Sequence, residues 1–237
     1  MSGVATLWLD RPEVGNALSR ELVAALAEQL SHAQEDPAVH TVVFRGRGAQ
    51  FCTGFDLSDM ESENDRTLAE RFLALERLLQ AVWYCPKRTV AFATGKAWGA
   101  GADLFASCDI RAATADVTLR FPGSAFGIVL GTRRLVELIG WDAARPLVAE
   151  GAACDASGAL RTGLATDLVE GDAEAWLAAR CAPPVADPHT FAAIRHAVRA
   201  DHRAADMVTL RASAERPGLK ARIEAYRERV RASRAKK

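Results

Sequence analysis

The stretch Gly95–Asp109 reads Gly-Lys-Ala-Trp-Gly-Ala-Gly-Ala-Asp-Leu-Phe-Ala-Ser-Cys-Asp and holds residue types suited to chemistry. Gly95, Gly99 and Gly101 allow a tight turn with close backbone approach. Leu104 and Phe105 then open an apolar helical turn. Where such a turn starts a helix, backbone N–H groups are left without intrahelical acceptors. Their partial positive charge suits an anion or a developing oxyanion. Asp103, three residues after Ala100, shares a helical face with that donor end. A backbone donor beside a carboxylate fits enolate chemistry, in which one group holds charge and the other moves a proton. Two plainer readings compete. A dinucleotide fingerprint would need glycine where Leu104 stands, and a simple strand–helix turn would leave Asp103 as a cap. A second stretch bears on that choice.

Gly46–Leu57 reads Gly-Arg-Gly-Ala-Gln-Phe-Cys-Thr-Gly-Phe-Asp-Leu, directly after the apolar run Thr41–Phe44. It resembles the crotonase (enoyl-CoA hydratase/isomerase) segment G-x-G-x-x-F-C-A-G-x-D-L. The first stretch, taken from Pro86 and Lys87, resembles that family's P-K-P-x-I-A-A-V-x-G-x-A-x-G-G-G-x-E-L-x-x-x-C-D-I-R-x-A. Leu9–Pro12 through Asn16–Ser19 resembles its opening L-x-R-P-x-x-x-N-A-L-S, and Asp155–Val169 its A-x-x-A-x-x-x-G-L-V-x-x-V. Several motifs in the right order cover most of the chain.

The resemblance implies an α/β fold, a crotonase-like spiral of ββα turns over residues 1–180 that carries an acyl-CoA site. Residues 181–237 would form a helical region for trimerisation, as a homotrimer or a dimer of trimers, and for contact with CoA. It places the two oxyanion N–H groups on Phe55 and Ala100 and the catalytic acid on Asp103. Ala17, Leu18, Phe51, Gly54, Asp56, Leu57, Gly99 and Gly123 fall at positions expected to bind substrate. Coenzyme A would enter as part of the thioester substrate, with no permanently bound cofactor and no metal. The C-terminal Lys220, Arg222, Tyr226 and Arg229 resemble the closing helix that lies near the CoA nucleotide.

The sequence also departs from the family pattern. Ala100 replaces the middle glycine of a triplet, and its N–H survives as a donor if φ stays negative. Asp103 is one methylene shorter than the first family glutamate. The second glutamate, in F-x-x-P-E, is absent: the chain reads Phe121-Pro122-Gly123, and the loop after Gly127 is about three residues short. In one branch of the family a glycine also stands there and bicarbonate takes the carboxylate's place. Hydration uses two carboxyls, so hydratase, isomerase and lyase or hydrolase chemistry all stay open. A catalytically impaired acyl-CoA-binding or assembly homologue, or more distantly an RNA-binding relative, is the alternative. Glu61, Glu63 and Asp65 could swing in as substitutes or simply face solvent.

Composition fits an ordinary globular protein: 237 residues, 49% hydrophobic, 25% charged and formally neutral. Zero net charge gives no general pull toward nucleic acid or a membrane surface. The five cysteines are odd in number and scattered, so reduced thiols are expected. The five histidines form no paired ligand motif. No leader-like segment or membrane-length apolar run is present, so a cytoplasmic location is expected.

The elements that must position these residues follow from periodicity. Val4–Leu9, Thr41–Phe44, Thr89–Ala93, Ile110–Ala113 and Val117–Phe121 read as strands. Ser19 caps a helix from Arg20 to about Gln34, and Leu68, Phe72, Leu75, Leu79 and Val82 mark a second. Thr132–Ile139, Asp142–Glu150, Asp155–Arg161 and Asp172–Cys181 read as further helices, and the chain from about Asp187 as helical throughout. Ser58–Asp65 is polar and acidic and is expected to be a mobile loop. Strand–helix alternation followed by helices predicts an α/β core with a helical tail.

Overall fold

The computed structural model describes residues 3–235. In chain order the strands are β1 (Val4–Leu9), β2 (Thr41–Gly46), β3 (Arg88–Ala93), β4 (Lys96–Trp98), β5 (Ile110–Thr114), β6 (Thr118–Arg120), β7 (Ala153–Asp155) and β8 (Asp167–Val169). The helices are α1 (Arg20–Glu35), α2 (Asp65–Trp83), α3 (Ala100–Ser107), α4 (Thr132–Val148), α5 (Ala156–Thr162), α6 (Ala173–Arg180), α7 (Pro188–Val198), α8 (Arg203–Ala214) and α9 (Leu219–Ala235).

A five-stranded sheet, ordered β1-β2-β3-β5-β8, is parallel throughout. Its inner strands are buried on both faces, which explains the continuous apolar runs at Val42–Phe44 and Val90–Ala93. A smaller sheet, β4-β6-β7, lies beside it, with β4 and β6 parallel. Parallel bridges from Leu18 to Phe55 and from Cys52 to Ala97 extend this second layer. Successive turns of chain thus place one segment in each layer, which is the expected spiral.

Local chemistry sets the helices. The Ser19 hydroxyl accepts the Leu22 N–H, and Val23, Leu26, Leu30 and Ala33 form the buried face of α1. Asn64 and Thr67 close a reciprocal capping box at the start of α2. All eight residues of α3 are buried, Asp103 among them.

Three expectations need correction. Strands β4, β7 and β8 were not predicted; each has three residues, too few for a period, and is held by pairing alone. The two helices expected around residues 132–150 are present as the two halves of α4, separated by non-helical Gly140 with φ of 74° and ψ of 163°. The C-terminal region is not helical throughout, because the chain turns at residues 199–202 and 215–218, the second turn containing Pro217 and Gly218. The loop before α2 is pinned. Met60 is buried in an apolar cluster, and Lys220 Nζ donates to the carbonyls of Glu61 and Glu63. In that cluster Leu210, Ala214, Leu219 and Ile223 meet Met60, Leu68, Phe72 and Ile128, so α8 and α9 pack back onto α2.

Candidate active site

Two glycine turns meet at one point. Gly54 has φ +100°, and a Cβ there would lie 2.7 Å from the Trp98 carbonyl oxygen and 3.5 Å from the Ala100 nitrogen. Only a residue without a side chain allows this crossing. On one strand the Leu18 N–H donates to Gly54 O and the Asp56 N–H to Leu18 O, at 2.8 and 3.2 Å. That alternation directs the Phe55 N–H away from the pairing. On the other strand Gly99 precedes α3, making Ala100 its first residue. Among the described residues neither the Phe55 nor the Ala100 N–H has a protein acceptor. Asn16 is the only described non-glycine residue with positive φ, so Ala100 keeps an ordinary backbone and its donor.

Cys52 underlies the junction. Its sulfur accepts the Gly54 N–H at 3.4 Å, and burial pushes the thiol up to about 12, which keeps it neutral. A Cβ on Gly101 would stand 2.6 Å from the Cys52 Cβ, so Gly101 serves packing against this thiol.

The acid lies on the next turn of α3. Asp103 is 6% exposed, and its carboxyl makes no hydrogen bond among the described residues. Gly131 makes room for it: a Cβ at that position would lie 2.1 Å from Asp103 Oδ1. Nearby, Arg134 donates to both oxygens of Glu76, at 2.8 and 2.6 Å, and both side chains are buried. Burial raises the Asp103 carboxyl well above the usual carboxylate range; the Arg134 charge opposes this and the Glu76 charge adds to it. Asp103 is therefore poised to hold a proton. At Gly123 there is no side chain, and a Cβ would approach the Ile128 carbonyl oxygen to 3.0 Å.

A cavity of about 310 Å³ joins these parts. Of the positions named from the sequence, Gly54, Phe55, Leu57, Gly99, Ala100, Asp103 and Gly123 line it. Ala17, Leu18, Phe51 and Asp56 do not. The Ala17 carbonyl accepts from Arg11, Leu18 bridges to Phe55, and Phe51 packs edge-on against Phe105 in the core. Asp56 is ion-paired with Arg11 at 2.5 Å; burial works against its charge, and bonds from Arg11 and the Ser58 N–H hold it low nonetheless. Two of the loop acids are also fixed elsewhere. Glu63 pairs with buried Arg71 at 2.9 Å, and Asp65 accepts the N–H groups of Gly218 and Lys220. Neither can swing in without breaking those bonds; the Glu61 side chain is exposed.

Sequence reasoning missed much of the wall. Phe72 stacks on Phe55 with centroids 4.2 Å apart, and Phe126 meets Tyr226 at 5.3 Å. Phe126, Ile128 and Trp141 also line the cavity. Phe72 was visible only as a helix-core residue. Of the expected C-terminal group, Tyr226 reaches the cavity. Arg229 donates to Ala125 O, while Lys220 and Arg222 serve loop carbonyls. A second cleft of about 520 Å³ shares Trp98, Phe121 and Tyr226 with the first and adds Arg120, Val230 and Ser233. No group of three metal-ligating side chains occurs among the described residues.

A parallel sheet wound with a second layer of short strands, with two unpaired N–H groups and a buried carboxyl at one cavity, defines the crotonase class. The crystal structure of a Bordetella parapertussis protein named for the enoyl-CoA hydratase/isomerase class superimposes with TM-score 0.91 at 39% identity, covering 94% of each chain. An enoyl-CoA hydratase/isomerase structure from Xanthobacter autotrophicus Py2 gives TM-score 0.82 at 27% identity, covering 98% of this chain and 93% of that one. The chain belongs to the enoyl-CoA hydratase/isomerase family, whose profile matches residues 1–216. Among curated relatives, echA6 of Mycobacterium leprae, named for enoyl-CoA hydratase, is 35% identical over 183 residues, 74% of this chain and 72% of the relative. The enoyl-CoA isomerase/hydratase fer4 of Mycosarcoma maydis is 31% identical over 183 residues, 72% and 67% of the two chains.

Proposed function

We propose that this protein binds an acyl-CoA, holds its thioester carbonyl between the Phe55 and Ala100 N–H groups, and moves one proton at the adjacent carbon through Asp103. The observation that carries this is the convergence of two unpaired backbone donors and a single carboxyl on one cavity. Enolate formation moves charge onto the carbonyl oxygen. Preorganised donors aimed there contribute about 3–4 kcal/mol each to the barrier. Hydration would need a second carboxyl for the water, and the cavity lining offers none besides Asp103. The chemistry is accordingly single-acid proton transfer.

The acyl chain fits the apolar cavity. The CoA tail leaves by the cleft beside Arg120 and Tyr226, its phosphates facing Arg120 and Arg229. No bound cofactor takes part. The exposed apolar residues of α7, Ile194 at 53% and Val198 at 71%, supply a surface for a homotrimer or a dimer of trimers. No helix among the described residues is long and apolar enough to cross a membrane, and five free cysteines suit the reducing cytoplasm.

The test is calorimetric titration with acetoacetyl-CoA together with exchange of the α-protons of a saturated acyl-CoA in deuterium oxide. Saturable binding with exchange that Asp103→Asn abolishes supports the reading, and failure to bind any acyl-CoA sinks it. Gly123 favours one second reading, a binding or assembly protein without chemistry. Binding with neither exchange nor turnover of any acyl-CoA would select it.

A further inference from the structure

We propose that the enolate in this site is formed by loss of carbon dioxide from a malonyl-type acyl-CoA, a thioester carrying a second carboxylate on the carbon next to its carbonyl, and that Asp103 supplies the proton that replaces it. The inference rests on the enolate reading above and names the substrate class.

The cavity is equipped to receive an enolate but poorly equipped to make one by deprotonation. Among the described residues lining it, Asp103 is the only carboxyl and Tyr226 the only phenol, and no lysine, arginine or histidine is present. Position 123 has no side chain, Glu63 and Asp65 are tied to Arg71 and to the start of α9, and Glu76 is closed in a two-point pair with buried Arg134. That leaves one carboxyl, buried and without a hydrogen bond, an environment in which the neutral acid is the favoured form. A buried carboxyl of this kind is better placed to donate a proton than to take one. A route to the enolate that uses no base suits such a site best, and decarboxylation is such a route.

The step balances within the site. The bond between Cα and the carboxylate carbon breaks, and its electron pair enters the thioester as an enolate whose oxygen lies against the Phe55 and Ala100 N–H groups. Carbon dioxide leaves, Asp103 transfers its proton to Cα, and water later returns a proton to Asp103. The net change consumes one proton and gives carbon dioxide and the acyl thioester. The lining assists for a second reason. With no cation among the described residues of the wall, a carboxylate seated there loses its water without gaining a partner, while the charge developing on the thioester oxygen meets two fixed donors.

The experiment offers malonyl-, methylmalonyl- and phenylmalonyl-CoA to the full chain in bicarbonate-free deuterium oxide. Carbon dioxide and the acyl-CoA are measured, and acetoacetyl-CoA binding is followed in parallel. The expected result is turnover of at least one of the three, with one deuteron at Cα per carbon dioxide released. Asp103→Asn should lower kcat at least about 100-fold with acetoacetyl-CoA affinity within about threefold, which also shows that the variant folds. No carbon dioxide from any of the three while acetoacetyl-CoA binds would overturn the decarboxylation and leave the enolate site standing. No binding of any thioester would overturn both. Undiminished turnover in Asp103→Asn would remove Asp103 from the step. Turnover confined to thioesters lacking the second carboxylate, and only with added bicarbonate, would also overturn the proposal.

Discussion

Phe55 and Ala100 contribute backbone N–H groups from turns that glycine geometry fixes, whereas Asp103 contributes a side chain whose surroundings come from two other elements. The first half of the site is set by atoms close in sequence: Gly54, Gly99 and the crossing at Trp98 leave almost no freedom. The second half is assembled from Gly131 at the start of α4, Arg134 one turn on, and Glu76 of α2. Backbone donors tolerate side-chain change, as Ala100 shows by keeping negative φ where the family pattern has glycine. An acid depends on every neighbour. The oxyanion half should therefore resist single substitutions, and the acid half should respond to substitutions at residues that touch no substrate.

The largest effect should come from the acid itself. Asp103→Asn keeps the shape and removes the transferable proton, so turnover of the true substrate should fall by about 10²–10⁴-fold. Acyl-CoA binding, measured calorimetrically, should change little. A variant retaining full turnover would show that the two halves are not partners.

Next is the buried pair. Leaving Glu76 without Arg134 costs about 3–5 kcal/mol, because a buried carboxylate is stranded; Arg134→Met should show this in denaturant unfolding. Glu76→Gln tests the coupling to Asp103 through pH. The Asp103 carboxyl is raised by burial and, to a lesser degree, by the Glu76 charge. A proton donor is active below its pKa and fails as pH rises through it. Removing the Glu76 charge lowers that pKa, so the alkaline fall in kcat should move to lower pH. An unmoved profile would separate Glu76 from the acid.

An attempt to rebuild the missing acid should fail for reasons of space. At Gly123 a Cβ would stand 3.0 Å from the Ile128 carbonyl oxygen, in a loop closed by the Ile128 N–H to Gly123 O bond at 2.9 Å. Gly123→Glu should lower stability by about 1–3 kcal/mol without creating crotonyl-CoA hydratase activity. Brisk hydration by this variant would show that the loop yields more easily than its bonds indicate.

These contrasts explain what could be read in advance. Val42–Phe44 and Val90–Ala93 announced the central strands because both faces are buried. The proposed donors Phe55 and Ala100 were placed by the family resemblance, and the glycines beside them mark the turns that leave their N–H groups unpaired. Phe72 was not, since a residue in the buried stripe of α2 looks the same whether it packs on core or on a cavity wall. Gly131 was invisible for a related reason: its role is to leave space for a carboxyl 28 positions earlier, and nothing local records that distance. Phe51 and Asp56 sit inside the strongest motif yet do not line the cavity of about 310 Å³, because the motif also encodes the packing that holds the turn. The acids at 63 and 65 read as a solvated run, and only the fold brings Arg71 and the start of α9 to them.

The smallest expected effect tests whether the acid half extends to the C-terminal helix. Asp65 accepts the N–H groups of Gly218 and Lys220 at 2.7 and 2.8 Å, capping α9 from another element. Those donors, Lys220 first, hold the Asp65 carboxyl below its ordinary value against the opposing effect of burial. A depressed carboxylate stabilises the fold fully above its unfolded pKa of about 3.9 and loses that contribution as pH falls through the lower folded value. The group is largely solvated, so water screens the interaction and Asp65→Ala should cost only about 1 kcal/mol near neutral pH. The consequence for the site is geometric. α9 carries Ile223 and Tyr226 into the cavity wall, and a loosened start to that helix should raise KM for a long acyl-CoA about two- to fivefold while leaving kcat unchanged. Acidification of the unmodified protein toward pH 3 should raise protease sensitivity between α8 and α9 before the parallel sheet unfolds, and Asp65→Ala should show the same sensitivity already at pH 7. If the variant matches the unmodified protein in KM and in cleavage at both pH values, the cap is incidental and the C-terminal helix is held by its apolar contacts alone.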